Sequence, residues 1–338
     1  MEGPAHTAPT IDDVKLPTDH PNPIIRSLFF WAPSQASIRY WALASVVVNA
    51  GITVTGATVR VTESGLGCPT WPQCTSDSYL PVLHPEISPL HMAVEFGNRL
   101  LTFLVLAVGF ACVIAALRLA PRRPDLVRLA WLQPVGIVVQ ALWGGLVVRS
   151  ALHPATVGTH YLISVGLMAA CWLFYVRTGE REGVIRRTVH RDIRRLAQVL
   201  VAATFALLMA GVLVTGTGPH SGDELASRFD FDIETVARIH ADLAYLVVGL
   251  TFALLIALHV SDAPRAARRA ALALLGIELL QGVIGYTQYF LGVPAFLVGL
   301  HVLGSTLVWI FALRAATATR VREPVGALPS PDREPATA

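Results

Sequence analysis

Eight stretches of about 20 apolar residues, separated by loops that hold nearly all the charge, limit what this chain can fold into. A segment of that length crosses roughly 30 Å of hydrocarbon as a helix. In lipid the backbone finds no water to bond, so a spanning segment must satisfy its own N–H and C=O groups. The predicted spans are 38–59, 91–117, 127–148, 156–176, 196–216, 237–259, 268–289 and 296–316. Only 14% of the 338 residues are charged, against about a quarter in a soluble domain. The expected fold class is an all-α integral membrane protein, its eight transmembrane helices forming two pseudo-symmetric four-helix bundles. The halves are 38–176 and 196–316, joined by a linker at 177–195. Residues 1–37 and 317–338 read as disordered tails, and no cleavable signal peptide is legible. The net charge of +3 comes from arginines beside the spans and forms no basic face, which argues against nucleic acid as a partner.

Charge placement sets the orientation. Of the 26 lysines and arginines, 21 fall in the two tails and the second, fourth and sixth loops. Basic loops face the cytoplasm, so both termini are expected there, as an even number of spans requires. The opposite loops carry Arg60, Arg149, Arg228 and Arg238, and Arg99 lies within a span.

The halves share a pattern. QALWGGLVV begins at Gln140 and QGVIGYTQY at Gln281. The pairs Gln140 and Gln281, Gly144 and Gly285, and His160 and His301 are each 141 residues apart, and Asn98 and His240 are 142 apart. An offset shared across three helices marks an internal repeat. With four spans each, the halves run in the same direction, related by an axis along the membrane normal.

Each even-numbered span begins at the outer face and carries a polar residue near that start: Glu95 and Asn98, then His160, His240 and His301. Polar groups at membrane depth are costly and mark function. One such histidine is most simply an interhelical hydrogen bond, but three at matching depth on matching helices point to metal. Two imidazoles on different helices hold a heme iron from both sides, and His240 and His301 fit that role. Their counterparts are Asn98 and His160. Glu95 stands one turn from Arg99, so it is either half of an ion pair or a carboxylate beside bound substrate, and the two roles are compatible.

The first outer loop reads GLGCPTWPQC. A disulfide between Cys68 and Cys74 is expected on an oxidising outer face, as a staple or as a redox-active pair. Cys112 and Cys171 fall within spans as packing residues. The chain has no CxxCH, so covalent heme attachment is excluded.

TGATVRVTESGLGCPTWPQC, EFGNR, the histidine opening the fourth span, RIHADL and LHVLGSTLVW together resemble heme A synthase of the bacterial type, over about residues 38–316. The resemblance implies an enzyme of the bacterial inner membrane. It would oxidise the C8 methyl of heme O to a formyl group, by two hydroxylations and loss of water, giving heme A for cytochrome oxidase. It maps a heme b cofactor onto His240 and His301, and heme O onto a pocket around His160, Asn98, Arg99 and Glu95, with Glu95 as the catalytic candidate. The cysteine pair maps onto Cys68 and Cys74. Many members carry E-x-x-H-R in the second span, where this chain reads Glu95-Phe96-Gly97-Asn98-Arg99. Asparagine is a poor iron ligand, so the expectation is that His160 alone holds heme O. The C-terminal half has no cysteine pair.

A heme O synthase is the expected partner, because the substrate is apolar and scarce. An unidentified electron acceptor and membrane lipid complete the expected partners, and a homo-oligomer is compatible with the chain. Two rivals fit less well. A diheme carrier needs ligand sets near both faces, and a transporter or heme chaperone needs a midplane site with broken helices.

Overall fold

The computed structural model describes residues 31–82, 87–224 and 226–323. Eight helices run through them: α1 Gln35–Val61, α2 Pro89–Arg118, α3 Pro124–Arg149, α4 Pro154–Gly179, α5 Arg191–Thr217, α6 Ile233–Val260, α7 Arg265–Phe290 and α8 Ala295–Thr317. All eight are long and apolar enough to cross a membrane, so the chain is an all-α multi-pass membrane protein. Each helix extends past its predicted span by one to five residues at each end. Pro89, Pro124 and Pro154 open α2, α3 and α4, at a first position where the missing N–H has no partner to lose. Arg60, Arg118, Arg149, Arg177 and Arg314 close their helices, where a cation meets the negative end of the helix dipole. A 26-residue helix such as α3 is roughly 40 Å long, enough for the hydrocarbon and most of the headgroup layers.

Helices α1 to α4 close into a ring in which each packs on two neighbours and faces the fourth across the middle, and α5 to α8 repeat it. The rings meet through α1 on α8, α4 on α5, and α4 on α8. Exchanging the halves turns the first contact into the second and leaves the third unchanged, which is the pattern of a twofold axis along the bundle. The turns repeat as well. Ala151 and Leu152 after α3 take left-handed φ of 48° and 57°, and Gly292 and Val293, at the same 141-residue offset after α7, take 74° and 61°.

Each ring is packed most tightly toward the face that carries the chain ends. There Ile38, Ala42, Cys112, Leu126 and Phe174 form one fully buried cluster. Leu200, Leu254, Leu258, Ala270 and Leu274 form its counterpart. A third cluster, including Val165, Met168, Leu208 and Trp309, joins the halves. The outward faces carry exposed Phe103, Leu142, Phe252 and Val283, which suits lipid where it would not suit water. At the other end of the rings stand the polar residues of interest.

The linker and the beginning of the C-terminal tail are more ordered than their sequences imply. Helix α4 runs on to Gly179 and α5 begins at Arg191. Between them β1 (Val184–Arg187) pairs antiparallel with β2 (Arg320–Glu323), within a tail expected to be disordered from 317. Backbone pairing satisfies both short strands where side-chain hydrophobicity gives no signal. Residues 35–37 likewise belong to α1, while residues 1–30 and 324–338 lie outside the described residues.

Candidate functional site

In the C-terminal ring His240 and His301 occupy the facing helices α6 and α8, the eighth and seventh residues from their starts. Their ring centroids are 6.3 Å apart. A metal bonded at about 2 Å to one nitrogen of each imidazole sets the centroids about 6 Å apart, so the pair has the dimensions of a bis-imidazole iron site. Glycines make room for both rings. A Cβ on Gly211 would lie 3.2 Å from His240 Cε1, and one on Gly285 would lie 3.3 Å from His301 Cε1. Gln281 Nε2 lies 2.8 Å from the His301 carbonyl oxygen and 3.3 Å from its Nδ1, which fixes the ring. His240 is buried, with the Leu207 backbone within hydrogen-bonding reach of its ring, and a backbone contact at one ring nitrogen leaves the other for a metal.

The N-terminal ring repeats half of this. His160 is again the seventh residue of its helix, α4, with Gly144 beside its ring at 3.5 Å and its Nδ1 buried without a partner among the described residues. Gln140 Nε2 donates to the His160 carbonyl oxygen at 3.2 Å, as Gln281 does to His301. The facing helix α2 supplies Asn98, whose Oδ1 accepts from Thr55 Oγ1 at 2.8 Å. An amide nitrogen has no lone pair for iron, and one of the two lone pairs of the amide oxygen is taken by Thr55. On α1, a Cβ at Gly51 would meet nothing within 4 Å, whereas its counterpart Gly211 abuts a ring. The volume that His240 fills in one ring is open in the other.

Cys68 and Cys74 form a buried disulfide, and the loop that it closes lies on α2 and α3. Glu95 and Arg99 hold this loop. Glu95 Oε2 accepts the Cys68 N–H at 2.6 Å, and Oε1 accepts from Arg99 Nε and Nη2 at 3.1 and 2.6 Å. Arg99 Nη1 donates to the carbonyls of Thr70 and Gln73, both at 3.1 Å, and Nη2 to that of Cys68 at 2.7 Å. All five guanidinium donors are therefore engaged. Arg99 acts on a pocket through the loop it clamps. At the other edge the Trp71 ring rests on Gly145, where a Cβ would lie 2.5 Å from it, and Arg149 lies 5.9 Å over the same ring. Gly145 adjoins Gly144, so Trp71 roofs the ring that contains His160.

The remaining sequence candidates are placed as follows. Cys112 and Cys171 are free and buried. Arg60, placed in an outer loop by sequence, crosses between halves, donating to the carbonyls of His220 at 2.6 Å and Thr215 at 2.7 Å. Other residues were not singled out by sequence. Tyr161, beside His160, meets Ser305 of α8 at 3.3 Å. Glu278 is buried in α7, its Oε1 accepting from Thr251 at 2.8 Å. An acid inside an apolar span is itself a signal, though it lies outside the repeat because Ile137 holds the matching position.

The sequence pattern of a family described as COX15-CtaA, cytochrome oxidase assembly protein, matches residues 39–313. The chain is 27% identical over 344 aligned residues to heme A synthase of Azorhizobium caulinodans, covering 86% of this chain and 97% of that protein. It is 25% identical over 340 residues to heme A synthase of Brucella anthropi, covering 84% and 92%. Heme A synthase of Geobacillus kaustophilus is 32% identical over a shorter 117 residues, 34% of this chain and 35% of that protein.

Proposed function

The chain belongs to the cytochrome oxidase assembly protein family COX15-CtaA, and we propose that it is a heme A synthase, an oxidoreductase that converts the C8 methyl of heme O to the formyl of heme A. The observation that carries this reading is the contrast between an intact histidine pair and its broken copy. His240 and His301, with ring centroids 6.3 Å apart, suit a resident heme b. When bound, heme b supplies one-electron chemistry.

The residues of the other ring suit a substrate. His160 would hold the iron of heme O from one side. Asn98, held by Thr55, offers no imidazole on the other, and Gly51 leaves space there for an oxidant or water. Glu95 stands one turn before Asn98 on the same helix face. It anchors the disulfide loop and is the candidate to accept a proton or to stabilise developing positive charge. Trp71 and the stapled loop exclude water from above. A staple clamped by Glu95 and Arg99 favours the structural role for Cys68 and Cys74. The arginine-rich face is read as cytoplasmic, in a bacterial inner membrane, and a heme O synthase is the partner that would deliver the substrate.

The test is heme extraction from cells that co-express this chain with a heme O synthase. Heme A is the expected product. Accumulation of heme O alone, with the chain stably present in the membrane, would reject the proposal.

A further inference from the structure

The face where α1 begins and α8 ends holds an open cavity of about 440 Å³ between the C-terminal ends of α4 and α8 and strand β2. Trp172 on its wall is 12 residues beyond His160 along α4, roughly 20 Å away at 1.5 Å per residue, so the cavity is separate from the histidine sites. Its lining residues include four arginines, Arg181, Arg314, Arg320 and Arg322, and one acidic residue, Glu180, and the Arg314 guanidinium also lies 5.3 Å over the Phe311 ring. The Glu180 carboxylate is already engaged: Glu180 Oε2 accepts from Arg177 at 2.6 Å and lies 3.3 Å from Arg322. The Nε of Arg320 is buried without a hydrogen-bond partner among the described residues, whereas Arg322 pairs through its Nε with Glu180 and donates its Nη1 to the Gly183 carbonyl oxygen at 3.3 Å. Burial holds Arg322 below the ordinary arginine pKa, and the guanidinium groups of Arg177 and Arg320 push it the same way, with Glu180 opposing. The unmatched donor of Arg320 and the crowding of like charges are both relieved by an anion.

The rest of the wall identifies the source of that anion. Trp172 donates its Nε1–H to Thr317 Oγ1 at 3.3 Å, and Tyr175 carries Arg39 over its ring at 4.6 Å. Tryptophan and tyrosine gather at headgroup level, and basic pockets between helices at that level receive acidic headgroups. A free phosphate would have no use for an aromatic wall at the membrane boundary.

We propose that this cavity binds the phosphodiester of an anionic phospholipid, through Arg314, Arg320 and Arg322. The lipid would tie α4, α8 and the β1–β2 pair together at the twofold axis. The proposal rests on the membrane-spanning fold and is independent of heme chemistry.

Thermal unfolding of the full chain in mild detergent tests it, with phosphatidylglycerol, phosphatidylcholine and inorganic phosphate as separate probes. Phosphatidylglycerol is expected to raise the midpoint, and the other two are not. Arg320→Gln with Arg322→Gln should weaken phosphatidylglycerol binding about fivefold for each arginine removed. Arg128→Gln, exposed on the same face outside the cavity, should bind as the parent does. If the double variant does not fold, Arg314→Gln, altering an exposed side chain, takes its place. Equal shifts with the two lipids, a full shift with inorganic phosphate, undiminished binding by the cavity variants, or an equal loss in Arg128→Gln would each overturn the proposal.

Discussion

Beyond Glu278, which replaces an isoleucine, the two rings differ most at one corner and one loop. In the C-terminal ring His240 faces His301, and Gly211 is pressed against the His240 imidazole. In the N-terminal ring Asn98 turns to Thr55, Gly51 faces open space, and a disulfide loop clamped by Glu95 and Arg99 lies over the top. A resident group gains from two ligands and needs no exit. A substrate must enter, react and leave, and a single strong ligand beneath a roof suits that traffic better. On the proposed function, the repeat separates holding from changing while keeping one helix frame for both.

The largest effect should come from removing what the C-terminal ring has and the other lacks. His301→Ala or His240→Ala is expected to cut the heme bound per purified chain by tenfold or more, because even partners of metal ligands are worth about 10- to 100-fold in affinity. Heme quantified after extraction checks this, and full retention in both variants would end the assignment of that ring as the cofactor site. Next comes the feature peculiar to the N-terminal ring. Glu95→Ala should abolish heme A formation while leaving heme b bound. It also leaves Arg99 partly buried beside the loop, at a cost of about 3 kcal/mol, readable as a lower unfolding midpoint. A fully active Glu95→Ala would reduce Glu95 to its ion pair.

Asn98→His would make the two corners alike. The expected outcome is heme A formation that continues, with the substrate heme's spectrum shifting to that of an iron held by two histidines. Electron paramagnetic resonance of the heme O-loaded protein reads this, and an unchanged spectrum would mean that the space beside Gly51 cannot seat a second imidazole. The smallest contrast lies in the glycines. Gly211→Ala puts a Cβ 3.2 Å from His240 Cε1 and should alter the heme b spectrum. Gly51→Ala meets nothing within 4 Å, should leave that spectrum alone, and should add about 0.5–1 kcal/mol through its helix preference. Equal spectral changes in both would dissolve the comparison.

Hydropathy made the eight spans legible because a bilayer demands continuous apolar runs, and the histidines stood out because imidazole is rare in them. The 141-residue offset linked α3 and α4 to α7 and α8 through an identical turn. It did not link α1 to α5, where AGITVTG from Ala50 and AGVLVTG from Ala210 are 160 residues apart, since the loops between differ in length. That second repeat places Gly51 against Gly211 and so carries the open corner. The Glu95 and Arg99 pair was visible as helix spacing, but its grip on the loop depends on backbone carbonyls, which have no sequence signature. The cavity between α4 and α8 was hidden for a similar reason, because β1 and β2 are joined by backbone pairing across most of a half.

The β1–β2 pair also bears on how the protein is made. A ribosome releases the chain from its N-terminus, and domains form in that order. Strand β1 emerges after four helices, but its partner β2 follows the eighth. The ladder from Val184 with Glu323 to Arg187 with Arg320 therefore cannot form until every helix has been threaded into the membrane. It is a latch that closes last, and a nascent chain stalled before α8 would hold its two halves at that face by the linker alone.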